Sequence, residues 1–104
     1  MNLDTFNKLV DDTVKSTSEL LITKGGEYAG SDDRLANFKR GAELFGVTSL
    51  QVALIYMSKH YDAVGNYIRA HAHGIPQNLS EPIDGRIDDL INYCYLIKAL
   101  IHDS

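Results

Sequence analysis

Glu81, Asp84, Asp88 and Asn92 follow one another at spacings of three, four and four residues. On a helix these positions share an arc of about 80°, with Asp89 at its edge. A helix dipole favours carboxylates in the first turn, which accounts for Glu81 and Asp84. Asp88 and Asp89 lie beyond that turn. The strip is either a solvated face or a functional one that ligates a divalent cation or meets cationic side chains. Upstream, Gly25-Gly26-Glu27-Tyr28-Ala29-Gly30-Ser31-Asp32-Asp33 is the one long stretch without periodicity. Gly25, Gly26 and Gly30 allow close backbone approach. The helix start at Ser31-Asp32-Asp33-Arg34 can hold a phosphate on its amides or Mg²⁺ on its carboxylates. Glu27, Asp32, Asp33, Arg34 and Asn37 crowd together here, a density that favours a ligand over a plain turn. Tyr28 can stack on a base or cap the loop.

A second group of candidates lies on the third helical segment. Lys59, Asp62, Asn66 and His73 share its polar border, with Arg69 close by. Lys59 and Asp62 can simply pair, worth about 0.3 kcal/mol at this spacing. Alternatively Lys59, Asn66 and Arg69 face an anionic ligand. Other signals fail. His71 and His73 splay by about 200° on a helix, a poor pair of metal ligands. There is no nucleophile elbow, phosphate-binding Walker loop or dinucleotide fingerprint. Cys94 falls among apolar positions and reads as a buried thiol; as the sole cysteine it excludes an internal disulfide.

The elements that must position these residues are helical throughout. Leu3, Phe6, Val10, Thr13, Val14 and Thr17 predict a first helix over 3–23, with Asn2 as N-cap and Lys24-Gly25-Gly26 as its stop. Ser31 or Asp32 caps a second helix over 33–45, packing Leu35, Phe38, Ala42 and Phe45 and ending at Gly46. Thr48 and Gln51 form a capping box for a third, 49–72, with Gly74 beyond it. Ser80 caps the fourth, 81–102, with Pro82 in its first turn. No segment alternates with period two. The expected fold is a single all-α domain over 1–104, bundle-like, with four helices, two of them long. The fourth carries apolar residues over more than half its circumference, from Ile83 to Ile101, so it needs burial on two sides. A second subunit supplies that most easily, and a homo-oligomer through this helix is expected.

Composition bounds the rest. The chain has 104 residues, a formal net charge of −4 and 44% hydrophobic residues. That suits one small globular domain and argues against a duplex-DNA binder. Neither a membrane helix nor a signal peptide is legible, so a cytoplasmic protein is expected.

Four segments carry a resemblance: Lys24-Gly25-Gly26-Glu27-Tyr28-Ala29-Gly30, Asp33-Arg34-Leu35-Ala36-Asn37-Phe38, Lys59-His60, and Asp88-Asp89-Leu90-Ile91-Asn92-Tyr93. Together, over about residues 20–101, the chain resembles a mostly phage-encoded family of small helical proteins, the nucleotide-modification-associated domain. The last segment is also similar to the second metal helix of the MazG-type all-α nucleoside-triphosphate pyrophosphatases. The resemblance implies an oligomeric helical bundle with a nucleotide ligand. MazG-type enzymes hold Mg²⁺ with Glu-x-x-Glu on one helix and Glu-x-x-Asp on another. Here Arg86 stands three residues before Asp89, and the first helix offers Asp11-Asp12 and Glu19 without the Glu-x-x-Glu pair.

A damaged metal motif beside retained cations points first to a non-catalytic nucleotide binder. In that reading Gly26, Glu27 and Asn37 line the ligand, Arg34, Lys59, Arg69 and Arg86 neutralise phosphate, Tyr28 or His60 stacks on a base, and Asn92 contributes a polar contact. Such a protein, in a phage-infected host, could sequester a defence signalling nucleotide. The alternative is a Mg²⁺-dependent pyrophosphohydrolase. Glu27, Asp84, Asp88 and Asp89, or Asp33 in place of Glu27, would bind the metal, with Lys59 and Asp88 catalytic. A third reading is an acidic protein-interaction module.

Overall fold

A computed structural model describes residues 1–28 and 33–103, at 25–28 the backbone alone. The described residues form four α-helices and no strand: α1 Leu3–Tyr28, α2 Ala36–Phe45, α3 Ser49–Ala72 and α4 Ile83–Asp103. The all-α expectation holds. No helix among the described residues is long and apolar enough to cross a membrane.

The local signals for α1 to α3 act largely where expected. Asn2 Oδ1 accepts the Thr5 amide at 2.8 Å and caps α1. Gly46 takes the left-handed conformation (φ 68°) that ends α2, its amide bonded to the Ala42 carbonyl. The Thr48–Gln51 capping box is reciprocal, at 3.1 and 2.9 Å.

Three boundaries differ. α1 does not stop at Lys24 but continues through Gly25-Gly26 to Tyr28. Glycine permits a left-handed stop without imposing one, and in a helix interior each costs only about 1 kcal/mol relative to alanine. α2 begins at Ala36, and its N-cap position, Leu35, has no side-chain cap. The expected caps Ser31 and Asp32 lie outside the described residues, and a turn at Asp33 leads into the helix instead. Asp33 Oδ1 accepts the Leu35 amide at 2.9 Å. α4 begins at Ile83, with the Pro82 carbonyl accepting the first amides, from Gly85 and Arg86. Ser80 therefore stands two residues short of the cap position.

α3 and α4 make the most extensive helix pair; α2 packs on α3 and α1 on α4. α1 and α4 run parallel: Thr13 and Ser16 lie beside Asp84 and Asp88, while Leu21 lies beside Tyr95 and Ala99. Burial is concentrated where α2 meets α3 and α4, in Leu35, Phe38, Val52, Ala53 and Leu100. A methyl group added to Gly41 would stand 2.9 Å from Val52 Cγ1, so the glycine sets how closely α2 approaches α3. Lys39 ties the start of α2 to the end of α4, bridging Asp33 at 2.6 Å and Asp103 at 3.0 Å.

Two expected core positions are not core. Phe45 sits in the last turn of α2 and is 63% exposed, and the Cys94 thiol is exposed. In both cases the helical period identified an apolar side, but no neighbouring helix reaches it. The radius of gyration, 16.0 Å, exceeds the roughly 13 Å expected for a compact chain of this length.

Candidate functional site

Four helices meet around a cavity of about 210 Å³. Its floor is aromatic. Phe38 from α2, held at 1% exposure, stands 6.1 Å from Tyr56 of α3 and edge-on to Tyr93 of α4 at 6.5 Å. His60, one turn along α3, stacks on Tyr93 with centroids 5.2 Å apart. Leu20 and Leu21 of α1 and Leu96 of α4 close the apolar wall.

The polar rim gathers residues from distant parts of the chain: Lys24, Arg34, Asn37, His60, Asp89 and Asn92. Asp89, mostly buried, has Lys24 Nζ at 3.8 Å and His60 Nδ1 at 3.7 Å. Both are too long for hydrogen bonds and leave charge attraction alone. Among the described residues no carboxylate pairs with Arg34. Among the described lining residues two cations, Lys24 and Arg34, stand against one carboxylate, Asp89, in a chain of net charge −4.

Among the described residues three side-chain atoms are buried with no hydrogen-bond partner: Asn37 Oδ1, His60 Nδ1 and Asn92 Oδ1. All three belong to this rim. A buried polar atom left unpaired costs about 1–3 kcal/mol, and most native polar atoms avoid it. Three in one cavity leave it with hydrogen-bonding capacity that its own described residues do not meet.

Burial holds the His60 imidazole below its ordinary value. Asp89 opposes that shift, while Lys59, Arg86 and Lys24 reinforce it. The neutral form is thus favoured in the fold. Stability is therefore complete above about pH 6.5 and falls as pH drops from there through the depressed value. Melting curves from pH 8 to 5 should show that decline, and His60→Gln should flatten it. Parallel curves would show that His60 titrates as in the unfolded chain.

The structure brings together Arg34, Asn37, His60 and Asn92 of the expected ligand residues, and Asp89 of the expected metal ligands. Others fall elsewhere. Lys59 and Arg86 act on His60 only through their charge, and Arg86 leans on Glu81 at 3.5 Å. Arg69 folds back onto Asn66 of its own helix at 2.5 Å, so it is not a phosphate contact of this cavity. The side chains of Gly26, Glu27 and Tyr28 lie outside the described residues.

The acidic strip of α4 turns neither wholly to solvent nor to a single ion. Asp84 and Asp88 face α1, where Ser16 Oγ donates to Asp88 Oδ2 at 2.9 Å. Asp89, about 100° round the helix, faces the cavity instead. The proposed carboxylate set is therefore divided between two sides of α4. Asp33 spends both oxygens on Leu35 and Lys39, and the Lys39 bond holds its carboxyl below the usual carboxylate range. Among the described residues no three His, Cys, Asp or Glu side chains converge as metal ligands do.

Lys24, Phe38, Tyr56 and Tyr93 line the cavity without having been singled out as ligand residues. Lys24 carried a usable signal: it continues the Thr13, Thr17, Leu20 and Leu21 stripe of α1, and a lone cation on an apolar stripe marks a charge facing inward. Compared with protein-family models, curated proteins and solved structures, the chain matches none.

Proposed function

We propose that this protein binds a phosphate-bearing nucleotide or nucleotide derivative, without turning it over, in the cavity between its four helices. The observation that carries the reading is the convergence of Asn37, His60 and Asn92, each with an unpaired buried atom, on one cavity that also holds Lys24 and Arg34. The three atoms suit the hydrogen-bonding edge of a base or sugar. The aromatic floor suits a planar ring, and the two cations suit a phosphate. Drug-sized ligands occupy pockets of about 300–1,000 Å³. A cavity of about 210 Å³ therefore takes a ring system and leaves the charged remainder at the rim, beside Lys24 and Arg34. Sequestration, of a defence signal among other roles, needs nothing more than such binding.

Hydrolysis has less support in this geometry. Asp88, its expected catalytic carboxylate, is bonded to Ser16 of α1 and does not line the cavity that holds Lys24 and Arg34.

Calorimetric titration with a panel of linear, cyclic and nicotinamide-derived nucleotides tests the reading. At least one should bind, and Arg34→Ala should weaken it by about 10-fold or more, as loss of a charged hydrogen bond does. Native mass spectrometry of the mixture should recover the nucleotide intact. Absence of heat with every member of the panel ends the proposal. Release of pyrophosphate that disappears in Asp88→Asn would establish the hydrolase instead.

A further inference from the structure

The two sides of α1 are sharply divided. Asp4, Lys8, Asp11, Asp12 and Lys15 all fall within about 100° of arc. The opposite side repeats as a heptad seam, Leu3, Phe6, Val10, Thr13, Thr17 and Leu20, with Leu9 and Val14 flanking it. In the second half of the helix this seam is filled: Thr17 is 3% exposed against α4, and Leu20 walls the cavity. In the first half the same seam is bare, with Leu3 72%, Phe6 52% and Val10 43% exposed. The parallel register with α4 explains why. Ser16 is level with Asp88, so the first turns of α1 reach past the start of α4 at Ile83.

The bare seam is part of a larger imbalance. The chain exposes 7616 Å², whereas a self-sufficient monomer of its mass exposes about 5,800 Å². The excess, about 1,800 Å², is more than twice the roughly 800 Å² that each partner contributes to a standard interface. We infer that a second copy of this chain covers the α1 seam, in a two-fold dimer centred on the first half of the helix. An isologous contact sets the seam against itself, apolar against apolar. The charges stay outside it, where Lys8 and Asp12 already pair at 2.7 Å. A strongly acidic or basic partner would find no charge in the seam to meet. α4, expected from its composition to carry the subunit contact, becomes at most an addition to this one. The inference is independent of what the cavity binds.

Light scattering coupled to size exclusion, on the full chain, should give twice the 11.6 kDa chain mass. The F6D/V10D variant should fall to a single chain mass while keeping its helical circular dichroism, since both positions are far from the buried residues around Phe38. Cysteine trapping provides a second measure that needs no disruptive change. In a Cys94→Ser background, cysteine at Phe6, Val10 or Val14 should cross-link between chains at least several-fold faster than cysteine at Lys8, on the charged side. A wild-type monomer overturns the inference, as would another protein or segment covering the seam. So does a dimer whose mass survives F6D/V10D, or one that cross-links only through substitutions on α4, such as Tyr95→Cys.

Discussion

Phe38→Ala should remove most of the stability this chain has. A fully buried phenylalanine truncated to alanine costs about 3–5 kcal/mol, the lost transfer energy plus the cavity left behind. Net stabilities of single domains run to about 5–15 kcal/mol. Phe38 is one of the two largest side chains that are almost wholly buried, and it touches all the elements that matter: α2, which carries it, and Tyr56 and Tyr93 on α3 and α4. Little else can compensate, because among the described residues the buried hydrophobic core is only Leu35, Val52, Ala53 and Leu100 besides. For a domain of this size each kcal/mol moves the melting temperature by about 4–8 °C. The expected fall is therefore at least about 12 °C. Phe45→Ala, two turns along the same helix but largely exposed, should shift it by no more than a few degrees. Thermal melts of the two variants side by side decide the matter. Equal losses would mean that Phe45 is also covered in solution, and a negligible loss at Phe38 would remove the packing account given above.

That pair of phenylalanines shows where sequence reading stops. Spacing placed both on the inner side of α2, which is correct as a statement about the helix. Whether a neighbour reaches that side depends on helix length and crossing position, which no window of residues contains. The same limit governs α4. Asp84, Asp88 and Asn92 do share a strip, but the strip's meaning comes from α1 lying beside it. Ser16 occupies Asp88, and Asn92 is buried. By contrast, the Thr48 capping box and the Gly46 stop join groups within four residues of each other, so chain-local chemistry suffices to find them. Gly25-Gly26 carried the same local signal as Gly46 and failed, because a glycine's freedom includes the helix. Of the site, the resemblance-bearing segments supplied Arg34, Asn37, His60, Asp89 and Asn92 from three helices and the turn before α2. Their convergence on one cavity is a property of the packing, as is the aromatic floor beneath them.

Asn92→Leu should separate function from stability in opposite directions. Asn92 is 6% exposed on α4, amid apolar residues of the bundle, and its Oδ1 has no partner. Leaving such an acceptor unpaired costs about 1–3 kcal/mol. Leucine has nearly the same size, keeps the van der Waals contacts and removes the penalty, so the ligand-free variant should melt above the wild type, by about 4–8 °C for each kcal/mol recovered. An asparagine kept for structure would behave otherwise, because its replacement would break a bond that the fold uses and lower the melting temperature. Binding should move the other way. With the acceptor gone, whichever nucleotide the titration panel identifies should lose about 10-fold or more in affinity, and the stabilisation that it gives the wild type should shrink accordingly. Higher stability with lost binding is the signature of a polar group held in an unfavourable place for the sake of a ligand. Lower stability with affinity unchanged would assign Asn92 to the scaffold and leave Arg34, Asn37 and His60 to carry recognition without it.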